Sequence, residues 1–539
     1  MTATDVGRSV PRVVTEPISG NALASLAVTG KAPSGWYEPL PRDAEAWRKR
    51  VETVRAQHPS DWLERQTQAI QATGRAAERL HASAGGRGVV VTTGQQPGLF
   101  GGPVYTLSKA LSALALADEL EELTGIPVAP VFWAATDDAD FKEASRTAIA
   151  VNGGAQLLRI DHTQPLGRSM AHMPLGDASA ELEALTRSAG SAVDPVPLEL
   201  LERAYTADAT IGSAYVSFLR ALLEPFGIAV LDASHAATLA AARPVVTAAL
   251  KKAATIHDAL AARNREIEAA GHHPQVQEVA GLSLVFSSRG GERKRVPIKS
   301  AAKESPPDAQ LGPNVLLRPV VERAMLPTVT YVGGPAEIAY FAQIGPIADT
   351  LDVPRPAIVP RWSCTIVEPH VERILEKLYL LPEDLRDPHE VERRVARSHL
   401  PKAVIAELNA TRAVLNERLD ALTEAVESEH APLPPSVTGG LRANLMRRLD
   451  RFERRLISGA KRRHADVMQE IATARGSLWP FGNPQERVLN FVPFLARYGP
   501  ALIDDMLSEA RQHAELFTRT GRRERSSMES MQPGAGRGK

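Results

Sequence analysis

The sequence predicts an α/β protein in which a parallel-stranded sheet carries an antiparallel helical hairpin. Two stretches predict this. Val89-Val90-Val91 is a short β-branched run, followed by a glycine loop, a helical stretch to about Leu123 and a second apolar run from Pro127 to Trp133. Strand, loop, helix and strand in that order make a βαβ unit, whose strands are parallel and whose crossover is right-handed. The second stretch lies between Leu400 and Glu470. Val404, Leu408, Thr411, Leu415, Arg418, Leu422 and Val426 fall at alternating spacings of four and three, and Leu445, Leu449, Phe452, Leu456 and Gly459 repeat the pattern after the breaker Ala431-Pro432-Leu433-Pro434-Pro435. Such spacing is that of two helices meeting along a seam. Thr411 and Arg418 interrupt it, so an ordinary helical pair packed on the core is the competing reading.

Taken in order, Asp43 to His81 places Trp47, Val51, Val54, Trp62 and Ile70 on one buried helical face. Gly85 to Gly88 is a turn cluster, Thr92 to Gly102 is a polar glycine-rich loop, Pro103 opens a helix and Gly125 ends it. Gly227 to Asp232 and Pro327 to Val332 read as further buried parallel strands. Helical runs over roughly 199–224 and 235–269 flank the first of them. Gly281 to Phe286 and Arg295 to Lys299 read as two antiparallel strands of a small insertion. A helix begins near Glu368, and the tail from Thr518 lacks apolar periodicity and reads as disordered.

The 63 Lys+Arg balance 63 Asp+Glu, which excludes bulk electrostatic attraction to nucleic acid or an anionic membrane as the organising theme. The single cysteine, Cys364, excludes an intramolecular disulfide and an all-cysteine metal site. No stretch has the ~20 uncharged apolar residues of a membrane span, and Met1 to Val14 lacks a signal-peptide core. The expected compartment is the cytoplasm.

Ligands of open parallel sheets bind beyond the carboxyl ends of the strands. Three loops have that position. In Thr92 to Gly102 the glycines permit close backbone approach, and the amides with Gln95 and Gln96 can face an anion; the same glycines also suit a tight turn. Thr136-Asp137-Asp138-Ala139-Asp140 crowds carboxylates that need a cation, an amine or helix-end amides. One of them as a helix cap is the alternative. Gly333-Gly334-Pro335-Ala336-Glu337-Ile338-Ala339-Tyr340 offers Glu337 either as a cap or facing substrate, with Tyr340 beside it. His272-His273 has no metal-site spacing, so no zinc or other structural metal is expected. Arg361 suits a carboxylate or phosphate. Cys364 has no histidine partner and reads as a small packing residue.

TTGQQPGLFGGPVYTLSKA, VFWAATDDADFKE, HHPQV, PNVLLRPVV, LPTVTYVGGPAEIAYFAQI and PQERVLNFVPFLARYGP, in this order, resemble the bacillithiol-biosynthesis cysteine-adding enzymes, the BshC family of cysteine ligases. The likeness runs from WYEPLPRDAEAWRKR to RYGP at 497–500. It implies a Rossmann-type core related to class I synthetases and nucleotidyltransferases, inserted connecting segments, and a coiled-coil domain that makes a homodimer. It implies a ligase that joins the carboxyl group of L-cysteine to the amine of glucosaminyl-malate in the last step of bacillithiol synthesis. A free carboxylate is a poor acyl donor, so ATP with Mg2+ is the expected co-substrate, although no recognised ATP motif is present. Asp137, Asp138 and Asp140 are the expected catalytic carboxylates, with Asp137 or Asp138 on a substrate ammonium or Mg2+. Thr93, Gly94, Gln95, Gln96, Phe100, Gly101, Gly333, Gly334, Glu337, Tyr340, His273 and Arg361 are the expected binding residues.

The expected division is a helical segment over 1–84, the core over 85–370 with insertions near 151–210 and 270–312, the hairpin over 371–480, a helical segment over 481–517 and a tail over 518–539. Another ATP-dependent amide ligase or nucleotidyl transferase with a different acceptor, and a non-catalytic dimeric coiled-coil protein, are the alternatives.

Overall fold

The computed structural model describes residues 10–17, 20–161, 167–289, 292–301, 310–428, 432, 434 and 436–519. The tail beyond Arg519 and most of the proline-rich breaker lie outside the described residues. The chain divides into two units, one of Met1–Ile149, Gln156–Ile366 and Gln485–Lys539, the other of Ala150–Ala155 and Val367–Pro484.

The first unit is built on five strands: β1 (Val89–Gln95), β2 (Val128–Ala134), β3 (Ala229–Asp232), β4 (Thr328–Gly333) and β5 (Ile358–Pro360). They lie in the order β5-β4-β1-β2-β3, with every neighbour parallel. The chain therefore leaves β1 toward one side of the sheet and later returns to its other side. That reversal opens a crevice at the carboxyl end of β1, where open α/β sheets take ligands.

β1 runs four residues past the β-branched triplet. Thr92, Thr93 and Gly94 pair with Val131, Phe132 and Trp133 of β2, so they belong to the strand and not to the loop the sequence predicts. Their polarity hides the strand. The Thr92 hydroxyl donates to Glu322 and the Thr93 hydroxyl to Val332 O at 2.8 Å, which satisfies both groups in the interior. At Gly94 a Cβ would stand 2.6 Å from Trp133 O, so only glycine fits this pairing.

Helix α1 (Val104–Thr124) is rich in Ala and Leu and buried almost all round, between the sheet and the helix Pro500–Thr518. Gly125 ends it in the left-handed region, φ 69°. The amino-terminal helices Ala44–Gln57, Trp62–Ile70 and Gly74–Ser83 bury the predicted Trp47, Val51, Val54, Trp62 and Ile70, with Trp47 Nε1 donating to Phe517 O at 3.0 Å. The helical run predicted over 199–224 is broken. Helix Val196–Ala204 stops, and Thr210 starts Ile211–Leu223 with a reciprocal capping pair to Ser213. Two short helices later position the site: α2 (Arg318–Met325), ahead of β4, and α3 (Pro335–Phe341), after it.

The predicted pair of antiparallel strands is a three-stranded sheet. Leu282–Arg289 is its middle strand, between Glu292–Pro297 and Gln310–Pro313. The second strand lies three residues earlier than predicted, because the charged run Glu292 to Arg295 shows no apolar signal.

In the second unit, α4 (Lys402–Ser428) and α5 (Ser436–Arg463) pack on each other. The seam follows Ile405, Leu408, Leu415 and Leu419, with Leu408 and Leu419 buried. Val404, Thr411, Arg418 and Leu422, which the sequence pattern puts in the seam, are exposed. Arg412 sits within the hairpin and reaches Asp450 and Glu453 of α5, at 2.9 Å each. The seam shifts by one position and drops the two polar residues that break the predicted stripe. On α5 Phe452 also turns outward, 53% exposed.

Candidate active site

A cavity of about 610 Å³ opens at the carboxyl ends of β1, β2 and β4. Gly94, Gln95, Gln96, Asp137, Asp138, Gly334, Glu337, Tyr340 and Arg361 line it, so all three predicted loops converge there.

The β1 and β4 ends are joined by a buried ion pair. Lys109, from α1, donates to Gly94 O (2.8 Å) and Gln95 Oε1 (2.9 Å), and lies 2.5 Å from Glu337 Oε2. Glu337 also accepts from Tyr331 Oη (2.7 Å) and from Gly334 N (2.8 Å), which closes a cap on α3. Burial alone would raise the Glu337 pKa; the Lys109 charge and these donors hold it below the usual carboxylate range. Arg318, from α2, donates to Glu322 Oε2 (2.7 Å) and Tyr340 Oη (3.2 Å) and lies over the Tyr331 ring at 4.8 Å. Burial pushes the Tyr340 phenol up to about 12, against the opposing pull of Arg318.

Facing this wall is a carboxylate-rich edge. Glu143 accepts from Tyr105 Oη (3.1 Å) and from the Gln96 side-chain amide. Burial raises its pKa, and the Tyr105 hydrogen bond opposes the rise only in part. Asp137 Oδ2 lies 3.3 Å from Arg293, whose guanidinium also bonds the Asp137 carbonyl and stacks on Phe286 at 4.4 Å. Burial raises the Asp137 pKa, with Arg293 opposing. Asp138 Oδ1 accepts the Asp140 amide (3.0 Å). Asp140 caps the short helix Phe141–Ala144 through Glu143 N (3.1 Å), is exposed, and lies outside the cavity lining.

Other predicted residues serve the fold. Phe100 is fully buried at φ 54°, its ring edge-on to Tyr205. The Gly101 amide donates to Tyr205 Oη (3.0 Å), and its position leaves no room for a Cβ, which would lie 2.6 Å from Phe218. The Gly102 amide is spent on Leu99 O. These two amides are committed, and of Thr92 to Gly102 only Gly94, Gln95 and Gln96 line the cavity. Thr93 is interior, and a Cβ at Gly333 would lie 2.6 Å from Ile358. Arg361 touches the cavity but is committed to a buried bidentate pair with Glu486 (2.6 and 2.7 Å). His273 is exposed in the turn after Ala253–Ala269 and does not line the cavity. Cys364 is buried in the strand Ser363–Val367, where desolvation raises its thiol pKa.

Sequence reasoning missed Tyr105, Lys109, Glu143, Arg293, Arg295, Arg318 and Arg487. Tyr105 and Lys109 lie one and two turns into the helix that follows the glycine loop, facing the strand end, and that placement was readable. The arginines were not, because they come from segments remote in sequence. Arg295 donates only to Ser283 O, and Arg487 is exposed; neither has a carboxylate partner among the described residues. The cavity thus sets carboxylates beside unpaired guanidinium groups, an arrangement for holding an ammonium and an anion close together.

A family model described as bacillithiol biosynthesis BshC, N-terminal Rossmann-like domain, matches residues 29–362, and one described as its C-terminal coiled-coil domain matches residues 364–519. The chain is 32% identical over 444 residues to a Solibacter usitatus protein named "Putative cysteine ligase BshC", an alignment spanning 78% of this chain and 82% of that one. It is 31% identical over 451 residues to the Koribacter versatilis protein of the same name (80% and 83% covered) and 30% over 443 residues to that of Salinibacter ruber (78% and 80%). With both domain models matched in order and a parallel sheet followed by a helical hairpin, the chain belongs to the bacillithiol-biosynthesis BshC family.

Proposed function

We propose that this protein is a ligase that forms an amide between the carboxyl group of L-cysteine and the amine of glucosaminyl-malate, at the cavity beyond β1, β2 and β4. The observation that carries the reading is the pairing there of carboxylates with guanidinium groups that lack partners. Cysteine brings an ammonium and the acceptor brings carboxylates, so both signs of charge are needed in one pocket.

Asp138, whose carboxylate accepts a single backbone amide, takes the cysteine ammonium. Glu143, oriented by Tyr105 and Gln96, accepts the proton that the attacking amine must lose, and its raised pKa suits it to that exchange. Arg295 and Arg487 take the anionic groups. Gln95 and Gln96 act on neighbouring side chains, because the first bonds Lys109 and Tyr105 and the second bonds Glu143. ATP with Mg2+ would supply the carboxyl activation, by adenylation or phosphorylation, and the attached AMP or phosphate would leave as the amine adds. Arg295 and Arg487 fit a phosphate chain, whereas the glycine-loop amides, already bonded, do not. No group of three His, Cys, Asp or Glu among the described residues stands together as a metal site, so Mg2+ would arrive carried on the nucleotide.

Homodimerisation through the hairpin belongs to the same proposal. Val414, Leu422, Leu441 and Phe452 are large apolar side chains exposed on α4 and α5, as a face awaiting a second copy would present. No helix among the described residues is long and apolar enough to cross a membrane.

Asp138→Asn and Gln96→Ala test the site. Folded variants should lose most turnover of cysteine and glucosaminyl-malate; full turnover in both would contradict the assignment.

A further inference from the structure

A second cavity, of about 480 Å³, lies at the opposite end of the sheet. Its walls are the helix Ala44–Gln57, the end of α2 and the segment Pro354-Arg355 that leads into β5. Arg50 marks the level, donating from Nε to Val329 O at the start of β4 (2.8 Å). The candidate active site is at the far end of that strand.

The charges facing this cavity are unequal. Arg42, Lys49, Arg50, Arg323 and Arg355 line it against Glu38 and Asp43. Both carboxylates are already used: Glu38 pairs with Arg50 (3.1 Å), and Asp43 caps the helix through Ala46 N (2.9 Å). Arg355 is held by Asp349 outside the lining. Arg42 and Lys49 are exposed at the mouth.

Arg323 is the exception that needs explaining. It is 3% exposed, has no carboxylate partner among the described residues, and bonds only the neutral Gln57 side chain (NH2 to Oε1, 3.0 Å), while its buried Nε has no partner. Desolvation, with the repulsion of Arg50 added and the pull of Glu38 opposing, brings its pKa down to about 10. The carboxylate that acts on it, Glu38, is already paired with Arg50. A guanidinium taken out of water without an ion pair of its own is costly, and a structure that keeps one beside an open cavity leaves room for a counter-charge to arrive from solution.

We propose that this cavity is a second ligand site, which takes the oxyanion of a small phosphate- or carboxylate-bearing molecule on Arg323, with Arg42 and Lys49 closing on it from the mouth. It is separate from the candidate active site, although α2 reaches both: Arg318 near its start lines one cavity and Arg323 near its end lines the other. A guanidinium meets either oxyanion through charge-assisted hydrogen bonds.

Isothermal titration of the full-length protein with inorganic phosphate, and separately with succinate, tests this. The background is Arg295→Ala/Arg487→Ala, which removes the unpaired cations of the other cavity. One equivalent of phosphate or of succinate should still bind, and the anion that does so identifies the ligand class. Adding Arg42→Ala/Lys49→Ala, both exposed, should weaken it about tenfold, as loss of charged hydrogen bonds does. Arg323→Gln should abolish it. Binding of neither anion in that background, or binding unchanged by the Arg42→Ala/Lys49→Ala pair, overturns the proposal.

Discussion

Lys109 Nζ lies 2.5 Å from Glu337 Oε2, and this buried pair ties the helix after β1 to the helix after β4 across the mouth of the crevice. Each partner depends on the other. Lys109→Met leaves Glu337 buried without its ion-pair partner, with the Tyr331 and Gly334 hydrogen bonds and the more distant Arg318 and Arg361 charges as compensation, and should cost about 3–5 kcal/mol of stability. Urea unfolding checks this. Lys109→Met/Glu337→Gln should recover part of the loss, because no bare charge remains.

The same pair sets an acid limit. The folded pKa of Glu337 lies below its unfolded value of about 4.3. Its contribution is therefore complete above that pH and is lost as pH falls through the folded pKa. In Glu337→Gln the acid loss of stability should be shallower below about pH 4, as measured by urea midpoints at stepped pH.

The parallel sheet and the hairpin were legible because they are local patterns: β-branched triplets, a glycine loop before a long helix, and a repeat of three and four. What hid was decided by partners. Thr92 and Thr93 look like loop and are strand, because Glu322 and Val332, remote in sequence, satisfy their hydroxyls. Of the site, Gln95, Gln96, Asp137, Asp138, Glu337 and Tyr340 were visible, since they lie at strand ends. Arg361 was visible too, but nothing in its neighbourhood announced that Glu486 would occupy it. Arg295 was read as the start of a strand and Arg293 was not singled out, and both turn out to face the cavity.

Glu143→Gln removes the proposed base, keeps the side-chain shape and can still accept from one of its two donors, Tyr105 or Gln96. Turnover should fall by about 100-fold or more with KM little changed. In the wild type, activity should rise with pH through the Glu143 pKa, which burial places above the usual carboxylate range. A pH–rate profile should lose that limb in the variant.

Arg487→Ala removes an exposed charge, so stability should change by less than about 1 kcal/mol; Arg295→Ala also gives up its hydrogen bonds to Ser283 O and should cost about 1–2 kcal/mol. KM for the anionic substrates should rise about tenfold in each, as loss of a charge-assisted hydrogen bond predicts. Steady-state kinetics beside thermal melts separates the two effects.

The hairpin offers a test that leaves its own packing alone. Leu415 and Leu449 lie along the seam, so charges there unfold the pair. Leu441 and Phe452 point outward on α5 and are 44% and 53% exposed. Leu441→Asp/Phe452→Asp should give a helical monomer by light scattering and circular dichroism; a surviving dimer would move the contact elsewhere.

Most direct of all is mass spectrometry of a reaction containing the purified protein, L-cysteine and glucosaminyl-malate, with and without ATP and Mg2+. An amide product carrying both substrates is expected, formed only when the nucleotide is present. No product in either tube, from folded protein, would contradict it.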